Sequence, residues 1–328
     1  MRPILLKGHE GPIAKIKYNR EGDLLFSCAR KDKSPCAWFT ENGERLGTYE
    51  GHEGSVWDID CNWNTTRLLT ASGDRTARLW DVQTGAELFR FDHLSPVRAC
   101  GFAEGGKMMF TAQEDAMSQP AALFIYNIAD EISEQAAEPL REMYNPESGK
   151  IYSAEWGALN QFIITANHDG TIRKWNVEKG VEDQKVQAHA KEVRCIQFSP
   201  DKSMFATCST DKVAKLWDAQ TMRCLKTFKS DRPLNAVSIS PLMTHLIVGG
   251  GQEALHVTTT STKAGHFEVD FFHLVYQDYM GNIKGHFGPV NTLSFSPDGK
   301  GYASGGEDGY VRLHHFDKDY LNPKVQYW

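Results

Sequence analysis

Three residue types that work together in acid–base chemistry recur along this chain at fixed intervals. In the clearest instance His52 precedes Thr70 by 18 residues and Asp74 by 22, and Trp80 then follows the aspartate by six. The same spacings recur in His189, Thr207, Asp211 and Trp217, and in His286, Ser304 and Asp308. A histidine, a hydroxyl and a carboxylate are the groups of a hydrolase triad. Nucleophilic catalysis needs one exposed, activated set, whereas this set recurs in repeat after repeat. We therefore predict that these residues stabilise turns, and we predict no catalytic residue.

The interval from the acid to the aromatic residue divides the chain into seven repeats of about 42 residues. It is six residues at Asp32 and Trp38, Asp74 and Trp80, Asp169 and Trp175, and Asp211 and Trp217. The aromatic residue is lost from Glu253 to Thr259 and from Asp308 to His314, and Asp115 reaches Tyr126 after an insertion. Four short segments in each repeat alternate apolar and polar residues, which indicates strands. This pattern predicts an all-β fold, a seven-bladed β-propeller of WD repeats.

We predict one propeller domain, 1–316, and a C-terminal tail, 317–328. The approximate repeats are 7–49, 50–91, 92–146, 147–187, 188–229, 230–284 and 285–316, the last completed by 2–6. The last repeat has only three strand-like segments, whereas the strand-like PILLK precedes the first repeat. An open array of sheets would leave unpaired edges. The N-terminal strand is therefore predicted to complete the last blade and close the ring.

The composition of the 328 residues argues against several classes of protein. A net charge of −6 is unfavourable for a protein that coats nucleic acid, which needs clustered lysine and arginine. Seven cysteines without a Cys-X-X-Cys pair favour a reducing, intracellular compartment. The pairs His168-Asp169 and His314-His315 lack further metal ligands at a recognisable spacing. We predict no cofactor, no metal site, no small-molecule substrate and no membrane contact.

Within the predicted propeller, three tryptophans, Trp57, Trp63 and Trp156, lie outside the repeated position. Aromatic rings stack on nucleic-acid bases when basic side chains accompany them. No basic residues are interleaved with these tryptophans in the sequence. We therefore interpret all three as residues that pack the blades.

The sixth repeat is longer than the others, and recognition commonly resides where a regular scaffold deviates. About a dozen extra residues follow Thr259. The β-prone segments 258–262 and 267–271 flank Lys263-Ala264-Gly265 and predict a protruding hairpin. Its aromatic residues would either fold back onto the ring or be covered by a partner. Phe271 and Phe272 are the candidates for partner contact.

The third repeat departs from the pattern twice. About five extra residues, near 117–121, separate Asp115 from Tyr126. The segment 130–150 that follows is acidic and has low hydrophobicity. We expect it to leave the ring as an exposed excursion.

Acidic residues coincide on one rim of the fifth blade. The turn after the first strand of a blade and the turn after the third strand lie on the same rim. In the fifth repeat both turns contain aspartate, Asp201 and Asp218. Two interpretations are open. The carboxylates either cap their own turns or bind a basic side chain of a partner through charge-assisted hydrogen bonds.

Several segments are more specific than the repeat itself. They are YNREGDLLFSCA and NGERLGTYEGH in the first repeat, GGGQEA and VTTTSTKAGHFE in the sixth, and GHFGPVNTLSFSPDGKGYASGGEDGYVRLHHF in the seventh. With these segments the chain closely resembles the family of subunit i of eukaryotic translation initiation factor 3, up to about Phe316. The sixth-repeat motif is the most specific, because ordinary WD repeats do not contain it. The tail DKDYLNPKVQYW departs from the family.

The resemblance implies a structural network and a function. In WD-repeat proteins the histidine, the hydroxyl residue, the aspartate and the tryptophan form a hydrogen-bonded chain within a blade. Membership of the factor implies a non-catalytic cytoplasmic scaffold that binds the C-terminal segment of the b subunit and the N-terminal segment of the g subunit. Contact with the small ribosomal subunit would be indirect or peripheral. Two alternatives are a WD-repeat adaptor in another intracellular multiprotein complex, and a propeller enzyme with unpaired acids or histidines at its channel.

Overall fold

Each sequence repeat forms one four-stranded antiparallel sheet, the blade of a propeller. The computed structural model describes residues 3–321 apart from 146, 148 and 252–266. The first strand of each blade contacts the first strands of the two neighbouring blades, so these strands form a closed ring around a central channel. The predicted all-β, seven-bladed arrangement is confirmed.

The first three blades occupy the chain from Ile13 to Asn145. Blade 1 contains β2 (Ile13–Tyr18), β3 (Leu24–Ala29), β4 (Cys36–Phe39) and β5 (Arg45–Thr48). Blade 2 contains β6 (Val56–Cys61), β7 (Arg67–Ser72), β8 (Thr76–Asp81) and β9 (Glu87–Asp92). Blade 3 contains β10 (Val97–Phe102), β11 (Met108–Gln113), β12 (Ala121–Asn127) and β13 (Arg141–Asn145).

The other four blades begin at Ile151. Blade 4 contains β14 (Ile151–Trp156), β15 (Phe162–Asn167), β16 (Thr171–Asn176) and β17 (Val181–Gln187). Blade 5 contains β18 (Val193–Phe198), β19 (Met204–Ser209), β20 (Val213–Asp218) and β21 (Cys224–Lys229). Blade 6 contains β22 (Leu234–Ile239), β23 (His245–Gly250), β24 (Val269–His273) and β25 (Tyr279–Ile283). Blade 7 contains β26 (Val290–Phe295), β27 (Gly301–Gly306), β28 (Val311–His315) and β1 (Ile4–Leu6), and the short helices are Ile132–Glu134, Ala158–Asn160 and α1 (Lys318–Leu321).

The two ends of the propeller meet in blade 7. Strand β1 pairs antiparallel with β28, so that Ile4 lies opposite Leu313 and Leu6 opposite Val311. The N-terminal strand therefore supplies the outermost strand of the last blade, as predicted. This pairing joins the first and last repeats through main-chain hydrogen bonds and removes an open edge.

The hydrophobic core lies between neighbouring blades. Phe26 of blade 1, for example, belongs to one buried cluster with Ile59 and Trp80 of blade 2. Second strands such as β3 and β15 are buried at every residue, because both of their faces are covered by adjacent blades. Their near-continuous apolar sequences follow from this two-sided burial.

Every innermost strand has the same irregularity near its start. The pairing of β6 with β7 shifts between Val56 and Asp58, for instance, and leaves Trp57 without an opposite residue. A bulge of this kind re-aims the side chain of the extra residue. The seven bulged residues are Ala14, Trp57, Arg98, Tyr152, Arg194, Asn235 and Asn291.

Blade 6 corrects one prediction. Its second strand ends at Gly250 and its third begins at Val269, so the extra residues lie between these strands instead of after the third. The predicted Trp-position residue Thr259, the segment 258–262 and the turn at 263–265 lie outside the described residues. The segment 267–271 does not form the second arm of a protruding hairpin, because Val269, Asp270 and Phe271 pair within the ring. Both faces of β24 are covered, which explains the apolar pattern of VDFFH.

Blade 3 corrects another prediction in part. Residues 141–145 of the predicted excursion form β13, the outermost strand of the blade. The segment before this strand is largely exposed, but it is tied to the ring. Arg67 donates to the main-chain oxygens of Ala129 and Asp130, each at 2.6 Å.

Candidate functional site

The His–Thr–Asp–Trp set of blade 2 is one continuous hydrogen-bonded network. His52 Nδ1 lies 2.8 Å from an oxygen of Asp74, and its Nε2 lies 2.7 Å from Thr70 Oγ1. The indole N–H of Trp80 donates to the same hydroxyl at 2.9 Å. Thr70 and Trp80 are fully buried. The network ties the segment before the first strand to the second and third strands.

Blade 5 contains the same network. His189 Nε2 lies 2.9 Å from Thr207 Oγ1, and its Nδ1 lies 3.1 Å from Asp211. The indole N–H of Trp217 donates to Thr207 at 2.9 Å. Burial lowers the pKa of His189 despite its contact with the Asp211 carboxylate.

Blade 7 keeps the histidine, hydroxyl and aspartate of the network, and His314 stands in the position of the tryptophan. His286 Nδ1 lies 3.0 Å from Asp308, and its Nε2 lies 2.8 Å from Ser304 Oγ. His314 stacks on Tyr302, with ring centroids 4.6 Å apart. Burial lowers the pKa of His314 to about 4, so this ring is neutral at neutral pH.

Blade 1 contains the same network, but its hydroxyl residue, Ser27, was not predicted from the sequence. His9 lies 2.8 Å from Asp32 and 2.7 Å from the hydroxyl of Ser27, to which Trp38 also donates at 2.7 Å. Ser27 lies five residues before the turn aspartate, whereas in five of the other repeats the hydroxyl residue lies four before it. The interval of 23 residues from His9 to Asp32, instead of 22, was the available signal.

The histidine, hydroxyl and aspartate side chains that resemble a catalytic triad are hydrogen-bonded within these networks. Thr70 accepts the indole N–H and is bonded to His52, and its side chain is closed to solvent. Burial on its own would raise the pKa of Asp74, but hydrogen bonds from His52 and Thr76 hold it well below its ordinary value. In blade 2 the arrangement links the strands, and the Thr70 hydroxyl is engaged by His52 and Trp80.

The central channel is lined by charged residues of the innermost strands. Lys17 Nζ lies 3.1 Å from Asp60, and Lys15 Nζ lies 3.9 Å from Asp58. A cavity of about 240 Å³ lies beside them. Within the described part of the chain, no three His, Cys, Asp or Glu side chains are grouped to hold a metal ion. Over the same residues, no helix has the length and apolar character that crossing a membrane requires.

Phe271 and Phe272 lie inside the ring, which contradicts their assignment as partner contacts. Each side chain is only 6% exposed. Phe271 packs on Tyr302 of blade 7, with ring centroids 5.7 Å apart. Phe272 packs on Phe228 of blade 5 at the same distance. Both residues belong to an interior strand, and their apolar character reflects the contacts between blades.

Other apolar residues near this strand are exposed on the outer edge of the ring. Gln277 of blade 6 accepts a hydrogen bond from the main-chain N–H of Thr227 in blade 5, so the two outer edges adjoin. We call the exposed group on these edges the outer apolar patch: Leu225, Val275, Tyr276, Tyr279 and Met280. Neighbouring exposed apolar residues are typical of protein contact surfaces.

Asp201 and Asp218 cap their own turns and remain on the rim of blade 5. Ser203 Oγ donates to Asp201 at 2.6 Å, and the N–H of Thr221 donates to Asp218 at 2.7 Å. Side-chain hydrogen bonds from Ser199 to Asp201 and from Thr221 to Asp218 lower the pKa of each aspartate. The first side chain is exposed and the second half-buried. Capping therefore accounts for the local role of both residues and leaves them accessible.

A ladder of alternating rings and guanidinium groups crosses four blades at one mouth of the channel. Arg98 Cζ lies 3.9 Å from the ring centroid of Trp57 and 5.8 Å from that of Tyr152. Arg194 Cζ lies 4.6 Å from the ring centroid of Tyr152. Sequence reasoning missed this feature, because its members share a position in four repeats and are distant along the chain.

Trp57, Trp63 and Trp156 have different surroundings. Trp156 is buried between blades and donates to the main-chain oxygen of Gly101 at 3.0 Å. Trp63 is exposed beneath Arg20, whose Cζ lies 3.7 Å from the ring centroid. The interpretation of all three as blade-packing residues therefore holds for Trp156, whereas Trp57 and Trp63 stack with basic side chains.

Four-stranded blades, inner polar networks and a shared strand at the closure define a seven-bladed β-propeller built from Trp-Asp repeats. The family model EIF3I matches residues 1–326. Eukaryotic translation initiation factor 3 subunit I of Nematostella vectensis is 45% identical over 327 residues, which cover 100% of both chains. The protein of that name from Drosophila melanogaster is 48% identical over 98% of both chains, and that from Taeniopygia guttata is 46% identical over 98% of both. The chain belongs to the family of eukaryotic translation initiation factor 3 subunit I.

Proposed function

We propose that the chain is a non-catalytic scaffold subunit of the eukaryotic translation initiation factor 3 complex and acts in the cytoplasm. It holds other subunits in position and supports initiation on the small ribosomal subunit. The observation that carries this proposal is similarity to subunit I over 98–100% of both chains. The proposed direct partners are the C-terminal segment of the b subunit and the N-terminal segment of the g subunit.

The surface of the ring supports a role in binding protein segments. The outer apolar patch offers apolar area on the edges of blades 5 and 6. Asp201 and Asp218 add two accessible carboxylates on a rim of blade 5. A helix or strand that presents apolar and basic side chains fits such a surface.

Purification of the tagged full chain from its own cells tests membership of the complex. We expect other subunits of initiation factor 3, including b and g, to co-purify and to be identified by mass spectrometry. Recovery of the chain without any of these subunits would contradict the proposal. Recovery with a different stable set of proteins would favour an adaptor in another complex.

A charge reversal tests the rim of blade 5. The double variant Asp201→Lys, Asp218→Lys should stay folded and bind the b or g segment at least about tenfold more weakly, because two carboxylates are replaced by cations. The matched control is Asp81→Lys, Asp298→Lys. These residues cap the equivalent turns of blades 2 and 7, Asp81 through Thr84 and Asp298 through Ser296. Unchanged binding by the blade 5 variant, or an equal loss in the control, would eliminate this rim as a partner site.

A further inference from the structure

Blade 4 lacks the histidine of the polar network. Glu147 occupies its place, 18 residues before Thr165 and 22 before Asp169. The indole N–H of Trp175 still donates to Thr165 Oγ1 at 3.1 Å. Asn167 Nδ2 lies 3.3 Å from the same hydroxyl and takes the place of the imidazole Nε2. Asn167 is fully buried, and its Oδ1 has no hydrogen-bond partner among the described residues.

The side chain of Glu147 does not fill the volume of an imidazole. It is 68% exposed and pairs with Lys185 at 2.9 Å and Arg173 at 3.7 Å. A cavity of about 360 Å³ lies beside it. We call this cavity the blade 4 socket, and its principal lining residues are Tyr144, Glu147, Arg173, Trp175, Val181 and Glu182.

The charges around the blade 4 socket leave one negative charge in excess. Arg173 is buried and already bonded to Glu182 at 2.8 Å and Asp169 at 3.3 Å. Glu142 accepts a hydrogen bond from Tyr144. The side chain of Arg141 lies beside Gly180. The ion pairs at the socket join three carboxylates, Glu147, Asp169 and Glu182, to two cations, Arg173 and Lys185.

We propose that the blade 4 socket binds a lysine or arginine side chain of a protein partner. The stem of that side chain packs on Val181 and on the half-exposed ring of Tyr144, as amphipathic side chains do on apolar surface. Its cation lies between Glu147 and Glu182 and supplies the missing positive charge. The ring of Tyr144 adds a cation–π contact. The inference rests on the proposed function only in taking the bearer of the side chain to be a protein.

A peptide titration of the full chain tests the chemistry of the blade 4 socket. The probe is acetyl-Gly-Lys-Gly-amide, and the control is the same peptide with norleucine, which keeps the stem and lacks the charge. With ¹⁵N-labelled tryptophan, we expect the indole signal of Trp175 to shift with the lysine peptide and not with the norleucine peptide. The indole signal of Trp80, where His52 fills the equivalent place, should stay unchanged. Equal responses to both peptides, or no response at Trp175, would overturn the proposal.

Two variants locate the response. Glu147→His supplies the histidine of the other blades, so it should close the blade 4 socket, remove the response and raise the melting temperature. Glu182→Gln should weaken the binding of the lysine peptide about tenfold, because one charge-assisted contact is lost. The control is Glu87→Gln, because Glu87 pairs with Arg78 at 2.6 Å in the equivalent position of blade 2. Should Glu147→His fail to fold, the pair Glu182→Gln and Glu87→Gln decides alone, and equal weakening by both contradicts the assignment.

The titration is independent of the complex that the chain joins. Absence of the lysine response overturns the blade 4 socket and leaves the scaffold function standing. Absence of initiation factor subunits in the purification contradicts the scaffold function, and a lysine response at Trp175 would still support the socket. The two proposals therefore fail separately.

Discussion

Blades 2 and 6 have the same four-stranded geometry but are held together by different interactions. In blade 2 Thr70 and Trp80 belong to the buried polar network. In blade 6 the register places Val248 and Phe272 at the equivalent positions, and both are buried among apolar side chains. Blade 6 therefore lacks both the hydroxyl and the indole N–H. Because both groups are replaced, no buried donor or acceptor of this pair is left without a hydrogen bond.

A largely buried ion pair joins the start of blade 6 to its third strand. Arg232 donates to Asp270 at 2.6 Å and to the main-chain oxygen of Glu268 at 3.0 Å, and both charged side chains are largely buried. Asp270 stands opposite Val248 in the sheet. The comparison shows that a blade can form without the His–Thr–Asp–Trp set. In blade 6 apolar contacts and the Arg232–Asp270 ion pair stand in place of the His–Thr–Asp–Trp set.

The largest expected effect comes from breaking the ion pair of blade 6. Asp270→Ala should lower the free energy of unfolding by about 3–5 kcal/mol, because the Arg232 charge stays largely buried after it loses its nearest carboxylate. Glu87→Ala is the control in blade 2, where the carboxylate is about one-third exposed and its loss should cost less than about 1 kcal/mol. Urea unfolding measures both. A small loss for Asp270→Ala would show that solvent reaches Arg232 and that apolar packing alone holds blade 6.

The next effect comes from exchanging the central residues of the two blades. Thr70→Val should cost about 2–3 kcal/mol, because His52 and Trp80 each lose a buried partner. The reverse change, Val248→Thr, should cost about 1–2 kcal/mol by burying a hydroxyl among apolar groups. Urea unfolding of both variants provides the test. An unchanged free energy of unfolding for Thr70→Val would mean that the His–Thr–Asp–Trp set stabilises the blade no more than apolar packing does.

The smallest expected effect is the acid sensitivity of the histidine-bearing blades. Burial lowers the pKa of His93 to about 4, as it does for His314. In both cases the folded chain binds the proton less well than the unfolded chain, whose histidines titrate near 6.5. Stability is therefore complete above about pH 6.5 and declines as the pH falls towards 4. Unfolding at pH 7.5 and pH 5 should differ by about 1–2 kcal/mol for each residue, and His93→Gln should reduce the difference; an unchanged difference would exclude His93.

The regular part of the molecule was predictable because its spacing is a direct consequence of the repeated strands. The intervals from His52 to Thr70, Asp74 and Trp80 recur because Thr70 and Trp80 hold fixed positions in the strand register, while His52 and Asp74 lie in the segments that flank these strands. The closing strand was predictable because one repeat lacked a strand and the N-terminus had a spare one. Ser27 was missed because a turn that is one residue longer shifts the count.

The irregular part was not predictable from spacing. Thr259 lies six residues after Glu253 by coincidence, whereas Phe272 occupies the tryptophan position. The insertion before Phe272 has a length that the sequence alone does not reveal. The apolar run around Phe271 reads equally well as a covered surface and as an interior strand, and only the pairing with β23 distinguishes the two. The ladder at the channel mouth joins Trp57 and Arg98 across blades, a proximity that exists only once the ring has formed.

The pairing of β1 with β28 also has a consequence for biosynthesis. Leu6 leaves the ribosome roughly 300 residues before its partner Val311. At a synthesis rate of about 5–20 residues per second, the growing chain spends on the order of 15–60 s with two unsatisfied sheet borders. We therefore expect the two open sheet edges of the nascent propeller to be prone to pairing with other chains until the last blade emerges.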